Sequence, residues 1–339
     1  MKIELGTSQF GIPFTHVGNP NFHIAITGTS GQGKTTLLKK LTAQLPAQSA
    51  RGFIFDVAGD FASEVRKGNF GGKNVPIEVI PIQAGSFYLN PFLPQIPMES
   101  FNDIADRICN MVRANLGLGD TQCLALGDAI VSGLEERKLL SFSDLYTWLE
   151  ERSNISKDVL NRLCLKIKKL ERILPGDDIP YDWELDIPRL TILDLSKVRD
   201  TGTQSILVEL ILADIIGPRM AGDLDEKSPI VCVFDEAQRI RFREDCLVNR
   251  ILREGRKYGV HGWFSTQFVD KKSAADVLGQ AALQIIFRPQ DKEIHKIACM
   301  MAAGDRGKVS AYEKRLAALH RGDFLYRAGN KINQSNTWS

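Results

Sequence analysis

The chain has 339 residues, 43% of them hydrophobic and 25% charged, which is the composition of a globular protein with a large buried core in one or two domains. Its formal net charge of +2 allows a nucleic-acid partner but does not indicate one, so any basic surface has to be local. The six cysteines form no C-x-x-C pair, which favours reduced thiols in a cytoplasmic protein over a disulfide framework or a zinc site. The first residues lack the apolar core of a signal peptide, and the most apolar run, 206–217, is too short to span a bilayer. We therefore expect no membrane anchor.

The first motif along the chain is the run GTSGQGKTT at 28–36, which fits the phosphate-loop pattern G-x-x-x-x-G-K-[ST]. A short apolar stretch, 22–26, predicts a buried strand before it, and the spacing of the leucines in 35–45 predicts a helix after it. Backbone N–H groups in such a turn converge on phosphate oxygens, and the helix N-terminus adds to the attraction. Lys34 would neutralise the β- and γ-phosphates and the Thr35 hydroxyl would ligate Mg2+. The alternative is a plain glycine-rich turn. The residues predicted to bind the nucleotide are Gly28, Thr29, Ser30, Gly31, Gln32, Gly33, Lys34, Thr35 and Thr36.

Two further buried strands are predicted at 52–56 and 76–82. From about 98 to 180 the strand signal fades, and apolar residues recur at helical spacing in 99–112 and 158–174. This stretch predicts a helical insertion or subdomain. Its sequence carries no chemistry that we can interpret.

The second motif, IVCVFDEAQR, ends a predicted strand at 229–236 with Asp235 and Glu236. Ligand crevices of parallel sheets open at such carboxyl ends. Nucleotide hydrolysis needs a carboxylate to hold Mg2+ and a group to orient or deprotonate water. Asp235 suits the first role and Glu236 the second. A strand that ends in two acids is common by itself, but the upstream phosphate loop favours this assignment. Glu236 favours hydrolysis over phosphoryl transfer to a small molecule.

The third motif is REGRKYGVHGWFSTQ at 253–267, a basic helix end followed by a predicted strand. The basic residues could simply complement the helix dipole in solvent. Alternatively, Arg256 projects into the nucleotide of a neighbouring subunit as an arginine finger and stabilises charge in the transition state. Gln267, at the end of the strand, would sense the γ-phosphate by hydrogen bonding.

Further continuous apolar runs at 190–195, 283–287 and 323–327 are typical of parallel strands covered on both faces. The sequence therefore predicts an α/β fold, doubly wound, with a mostly parallel sheet and a helical insertion. We expect residues 1–97 and 181–339 to form the two parts of one core, with 98–180 as the insertion.

The phosphate loop, the acidic pair in VFDEAQR and the run EGRKYGVHGWFSTQ resemble the HerA–FtsK superfamily of ring ATPases, and within it most closely the HerA type. The likeness covers nearly the whole chain except 98–180. It implies a RecA-like P-loop core with ATP and Mg2+ as cofactors, and catalytic roles for Lys34, Glu236, Arg256 and Gln267. HerA proteins usually carry an N-terminal barrel that docks a nuclease or another effector. Because the phosphate loop begins at residue 28, we expect that barrel to be absent.

The resemblance also implies a homo-oligomer, a hexameric ring that hydrolyses ATP between subunits and moves double-stranded DNA through its central channel, with an effector or nuclease as a possible partner. Phosphate contacts could come from residues 196–202 or from the basic side chains that follow two predicted strands, although ordinary solvated loops explain all of them equally well. These side chains are Arg239, Arg241, Arg243, Lys271 and Lys272.

Three alternative functions stay open: a genome-packaging ATPase, an ATP-gated hexameric scaffold that activates an effector, for example in phage defence, and a monomeric P-loop phosphotransferase.

Overall fold

The computed structural model describes residues 1–7, 13–17, 21–70, 75–83, 86–95, 98–137, 141–152, 155–174, 182–184, 187–220, 228–240, 246–267, 279–329 and 331–337. The strands are β1 Lys2–Thr7, β2 Pro13–Val17, β3 Ile24–Thr27, β4 Arg51–Asp56, β5 Ile77–Pro81, β6 Leu190–Asp194, β7 Ile230–Phe234, β8 Val260–Thr266, β9 Leu283–Phe287, β10 Asp323–Ala328 and β11 Lys331–Asn336. The α-helices are α1 Lys34–Thr42, α2 Asp60–Arg66, α3 Phe101–Leu116, α4 Asp120–Glu135, α5 Phe142–Arg152, α6 Lys157–Glu171, α7 Thr201–Met220, α8 Leu247–Glu254, α9 Asp291–Ala302 and α10 Arg306–Ala317. None of these helices has both the length and the hydropathy needed to cross a bilayer.

A nine-stranded sheet organises the chain, in the order β11-β10-β9-β3-β8-β7-β4-β6-β5. The strands from β9 to β5 in this order pair in parallel, so their carboxyl ends meet at one edge. Strand β8 lies between β3, which precedes the phosphate loop, and β7, which precedes Asp235. The predicted fold class, a RecA-like core with a mostly parallel sheet, is confirmed. Strands β1 and β2 form a separate antiparallel pair that was not predicted.

The central strands are buried along their whole length because helices cover both faces of the sheet. Every residue of β6, β7 and β8 is buried. Successive residues point to opposite faces, as strand geometry requires. One face therefore presents a row of aromatic rings to one core cluster, and the other face presents their neighbours to a second cluster. The first row contains Phe55, Phe234 and Phe264, and the second contains Ile54, Val233 and Trp263.

The described residues of the predicted insertion contain four helices, α3 to α6, and no strand. Helix α3 begins at a capping box in which Ser100 and Asp103 each bond the other's backbone N–H. The buried side chains of these helices belong to the same core cluster as Phe55 and Phe234 of the sheet. Helix α7 is buried along most of its length and contacts α3. The division at 98 and 180 itself stays a prediction.

Strand β10 runs antiparallel to β9, whereas its apolar pattern had suggested another parallel strand. The reason lies in the connection, which contains two helices that pack on each other, α9 and α10. One helix after β9 would return the chain to the amino edge of the sheet, and a second helix brings it back to the carboxyl edge. Strand β10 therefore starts where β9 ends. An apolar run of five residues cannot reveal this reversal.

Phe234 tests the packing of the aromatic row. Its ring stacks on Phe55 at 5.0 Å and on Phe264 at 4.9 Å between centroids, and the side chain is fully buried. We expect Phe234→Ala to lower the free energy of unfolding by about 3–5 kcal/mol, measured by urea denaturation. The matched control is Phe101→Ala at a residue that is 43% exposed, which should cost less than about 1 kcal/mol. Equal losses would contradict the packing described here.

Candidate functional site

The phosphate loop links β3 to α1 and is anchored on the end of β9. Its backbone takes positive φ at Gly28 and Gly33, 141° and 108°. A Cβ atom on Gly28 would lie 2.7 Å from the Cβ atom of Phe287, so glycine is required there by close packing as well as by φ. The backbone N–H and the hydroxyl of Thr29 both donate to the carbonyl oxygen of Arg288 at 3.0 Å. These contacts hold the start of the loop in place before a ligand binds.

Lys34, the first residue of α1, is 5% exposed, and its ammonium group donates to the carbonyl oxygen of Thr29 at 2.8 Å. Burial lowers the pKa of Lys34, while the carboxylates of Glu236 and Asp235 act in the opposite direction. A partly desolvated ammonium group at a helix N-terminus is suited to bind phosphate oxygens.

Thr35 connects the phosphate loop to the acidic pair. Its hydroxyl donates to Oδ2 of Asp235 at 3.0 Å, and the backbone N–H of Glu236 donates to Oδ1 of Asp235 at 3.0 Å. Asp235 is 1% exposed, and burial raises its pKa. A hydroxyl and a carboxylate so close together are hard oxygen ligands of the kind that Mg2+ takes along with substrate phosphates. In the described part of the chain, no three or more His, Cys, Asp and Glu side chains are grouped so that they could hold a metal ion.

Glu236 follows with a left-handed backbone, φ 53°, which is uncommon for a residue other than glycine. The side-chain Nε2 of Gln267 donates to both carboxylate oxygens of Glu236 at 2.9 Å. The Nε2 of Gln238 donates to Oε2 of the same carboxylate. Sequence analysis overlooked Gln238, although it lies only two residues after Glu236. The predicted catalytic base, Glu236, and the predicted sensor, Gln267, are therefore in direct contact.

Two more carboxylates lie at the same edge of the sheet. Asp56, at the end of β4, accepts four backbone N–H groups at the start of α2, and burial together with Asp194 and Asp235 raises its pKa to about 6. Asp194, at the end of β6, accepts hydrogen bonds from Ser196 and Arg66. Burial opposes ionisation of Asp194, but these hydrogen bonds hold its pKa below the ordinary value. Asp56 thus caps the start of α2, and Asp194 binds the backbone and hydroxyl of Ser196 and pairs with Arg66 at the side of the site.

Arg256 lies on a short 3-10 helix, Gly255–Tyr258, and is exposed. This helix immediately precedes β8, whereas Gln267 follows β8. With seven residues at about 3.3 Å each, β8 is longer than about 20 Å, which exceeds the length of an arginine side chain. Arg256 therefore does not reach the phosphate loop of its own chain.

The other candidate DNA contacts are only partly described. Arg239 is exposed and donates weakly to the carbonyl oxygen of Val57 at 3.4 Å. In 196–202, Asp200 caps α7 through Thr203, and Lys197 and Arg199 are exposed. The remaining four candidates, Arg241, Arg243, Lys271 and Lys272, lie outside the described residues.

The C-terminal hairpin also supports the phosphate loop, which sequence analysis did not predict. The backbone N–H of Gly322 donates to the carbonyl oxygen of Gln32 at 3.0 Å. Thr337 is buried, donates from its hydroxyl to the carbonyl oxygen of Gly322, and accepts a bond from the ammonium group of Lys40. No motif links residues 322 and 337 to residue 32, because these contacts depend on β10 starting where β9 ends and on β11 pairing with β10.

In a RecA-like P-loop NTPase, one strand lies between the strand that precedes the phosphate loop and the strand that ends in acidic residues. This chain has that arrangement, with β8 between β3 and β7. The family model of the central domain of the helicase HerA matches residues 20–215, more than half of the chain. The chain belongs to this family, and the resemblance to the HerA–FtsK superfamily is confirmed.

Solved structures agree on the fold. VirB4 of Thermoanaerobacter pseudethanolicus superposes with a TM-score of 0.76 at 17% identity, over 98% of this chain and 95% of that one. The bacterial conjugative coupling protein TrwB superposes with a TM-score of 0.67 at 15% identity, over 98% of this chain and 88% of that one. TrwB in complex with ADP and Mg2+ gives a TM-score of 0.66 at 15% identity, over 99% and 94%. No curated protein sequence matches the chain significantly.

Gly28 tests whether the packed start of the loop is needed for ligand binding. In Gly28→Ala the new methyl group meets Phe287, and the backbone strain adds about 1–3 kcal/mol, so we expect affinity for ATP·Mg2+ to fall at least about tenfold. The control is Gly68→Ala outside the loop, because no atom lies within 4 Å of its Cβ position and only its φ of 73° opposes the change, so the affinity should stay at the wild-type value. Titration with a fluorescent ATP analogue measures both. Wild-type affinity in Gly28→Ala would refute the packing argument.

Proposed function

We propose that this chain is an ATPase whose nucleotide binds to the loop 28–36. Lys34 neutralises the β- and γ-phosphates, and Thr35 and Asp235 hold Mg2+, which screens charge on the phosphate oxygens. Glu236 accepts a proton from the water that attacks the γ-phosphorus atom, and the bond to the leaving ADP oxygen breaks. Gln267 binds the γ-phosphate and so reports whether ATP or ADP is present.

Two observations support this chemistry. The Thr35 hydroxyl at the end of the loop donates to the Asp235 carboxylate, which also accepts the backbone N–H of Glu236. TrwB, which shares the fold at low identity, has been crystallised with ADP and Mg2+. We extend that ligand class to this chain because its loop carries the complete G-x-x-x-x-G-K-T pattern.

The proposal that the enzyme works as a ring rests on the position of Arg256. Arg256 lies at the sheet edge opposite to its own phosphate loop, so a role at a nucleotide requires a second subunit. Such a contact joins different surfaces of two copies, and a head-to-tail contact closes into a ring when its rotation allows. We infer a homo-hexamer in which Arg256 of each subunit stabilises transition-state charge in the next.

We further propose that the ring moves double-stranded DNA through its channel for a nuclease or another effector partner. Phosphate contacts from a few cations per chain suffice, since a six-fold ring repeats each of them six times. Exposed Lys197, Arg199 and Arg239 follow strands β6 and β7, and they are the described candidates for these contacts.

Mixing two inactive variants tests the shared site. Lys34→Ala removes the cation that binds phosphate, and Arg256→Ala leaves binding intact but removes the proposed finger. Each variant alone should lose hydrolysis. In an equimolar mixture about a quarter of the interfaces pair an intact loop with an intact finger, so about a quarter of the wild-type rate should return.

The matched control is Lys257→Ala, which removes the exposed neighbouring cation on the same 3-10 helix and should keep the wild-type rate. Native mass spectrometry checks that mixed rings form. Mixed rings without recovery, or full activity of Arg256→Ala alone, would exclude the shared site.

Duplex DNA tests translocation. Linear double-stranded DNA should raise the rate of ATP hydrolysis several-fold, and the DNA concentration for half-maximal stimulation should rise steeply between 50 and 200 mM salt, as expected for about six or more phosphate contacts. Electron microscopy with an ATP analogue shows whether DNA passes through a ring. A ring whose rate of ATP hydrolysis does not change when DNA is added would instead support the ATP-gated scaffold.

A further inference from the structure

Gln238 contacts both Glu236, the proposed base in hydrolysis, and Gln267, the proposed sensor of the γ-phosphate. Its Nε2 donates to Oε2 of Glu236, and its Oε1 accepts the backbone N–H of Gln267 at 3.2 Å. It lies on the 3-10 helix Ala237–Arg239, directly after β7, and is half-buried. One amide therefore links the end of β7 to the end of β8.

The hydrogen bonds on the Glu236 carboxylate are unequal. Oε2 accepts from Gln267 and from Gln238, whereas Oε1 accepts from Gln267 alone. Each carboxylate oxygen has two lone pairs directed at donors. Oε2 is therefore filled by protein donors, and Oε1 keeps one acceptor position. Among the described contacts, Oε1 is the oxygen open to a proton from water.

We propose that Gln238 is a positioning residue that holds the Glu236 carboxylate in place while Gln267 turns to the γ-phosphate. This inference rests on the proposed function of Glu236 and Gln267. The amide of Gln267 has two N–H donors, and here it serves both oxygens of Glu236. A γ-phosphate that takes one of these donors leaves the carboxylate with fewer restraints. Gln238 then keeps Oε2 bound and Oε1 directed at water.

The backbone of Glu236 gives a second reason for such support. Its φ of 53° is an uncommon conformation, and residues of this kind persist only when their surroundings hold them. The side chain of Gln238 supplies part of that hold, because it fixes the carboxylate and at the same time bonds to the backbone of Gln267. Loss of Gln238 should therefore disturb the chemical step more than nucleotide binding.

Gln238→Met tests the inference, because methionine keeps the length of the side chain but cannot donate a hydrogen bond. We expect kcat for ATP hydrolysis to fall about tenfold to a hundredfold while KM for ATP changes less than about twofold. Gln238→His, which retains a ring N–H donor, should recover much of kcat. The control is Gln83→Met at an exposed glutamine beyond the end of β5, which should leave both constants unchanged.

A double variant separates positioning from a merely structural role. If Gln238 acts through Glu236, adding Gln238→Met to Glu236→Gln leaves the residual single-turnover rate unchanged. A further loss, or parallel losses of ATP affinity and melting temperature in Gln238→Met, would overturn the inference.

The same measurements distinguish failure of the positioning role of Gln238 from failure of the proposed function. Wild-type kcat in Gln238→Met together with an inactive Glu236→Gln would remove only the role of Gln238. Wild-type activity of Glu236→Gln would remove the proposed base and this inference with it.

Discussion

The hydrogen bond between Thr35 and Asp235 is the contact on which the candidate site depends. Strands β3 and β7 are separated by β8, so their ends lie about 9–10 Å apart, two strand spacings. Thr35, at the start of α1, reaches Asp235 across this distance through its hydroxyl. Because β8 pairs with β7, Gln267 after the end of β8 lies beside the acidic pair and bonds to Glu236. The strand order therefore places the proposed sensor between the phosphate loop and the acidic pair.

Burial disfavours charges of both signs at this edge of the sheet, the positive charge of Lys34 and the negative charge of Asp235. The Lys34 ammonium group is nearly excluded from water and bonds to a neutral carbonyl, while Asp235 is buried among other carboxylates. Burial lowers the pKa of Lys34 and raises the pKa of Asp235, so it makes the charged form of each side chain less favourable. A polyphosphate with a divalent cation offers charges of both signs in the matching positions. The unfavourable desolvation of the free site thus favours that ligand over a simple anion or cation.

The parts of this structure that could be predicted from sequence are those encoded over short distances along the chain. The strands Val260–Thr266 and Leu283–Phe287 coincide with their apolar runs, and the phosphate loop has a pattern of its own. The role of Gln238 and the support from Thr337 could not be predicted, because each depends on which distant segments become neighbours. The antiparallel β10 follows from the α9–α10 pair, whose packing is likewise a long-range property.

Strand β8 separates Arg256, which precedes it, from Gln267, which follows it. Its first half is bonded to the two residues before β3: the backbone N–H of Gly262 donates to Nδ1 of His23, and the indole N–H of Trp263 donates to the carbonyl oxygen of Phe22. Burial lowers the pKa of His23 to about 4, so at neutral pH its imidazole is uncharged and accepts this bond. In the ring that we propose, β8 would therefore connect Gln267 at one nucleotide to Arg256 at the next through a strand that is bonded near its start rather than through a hinge.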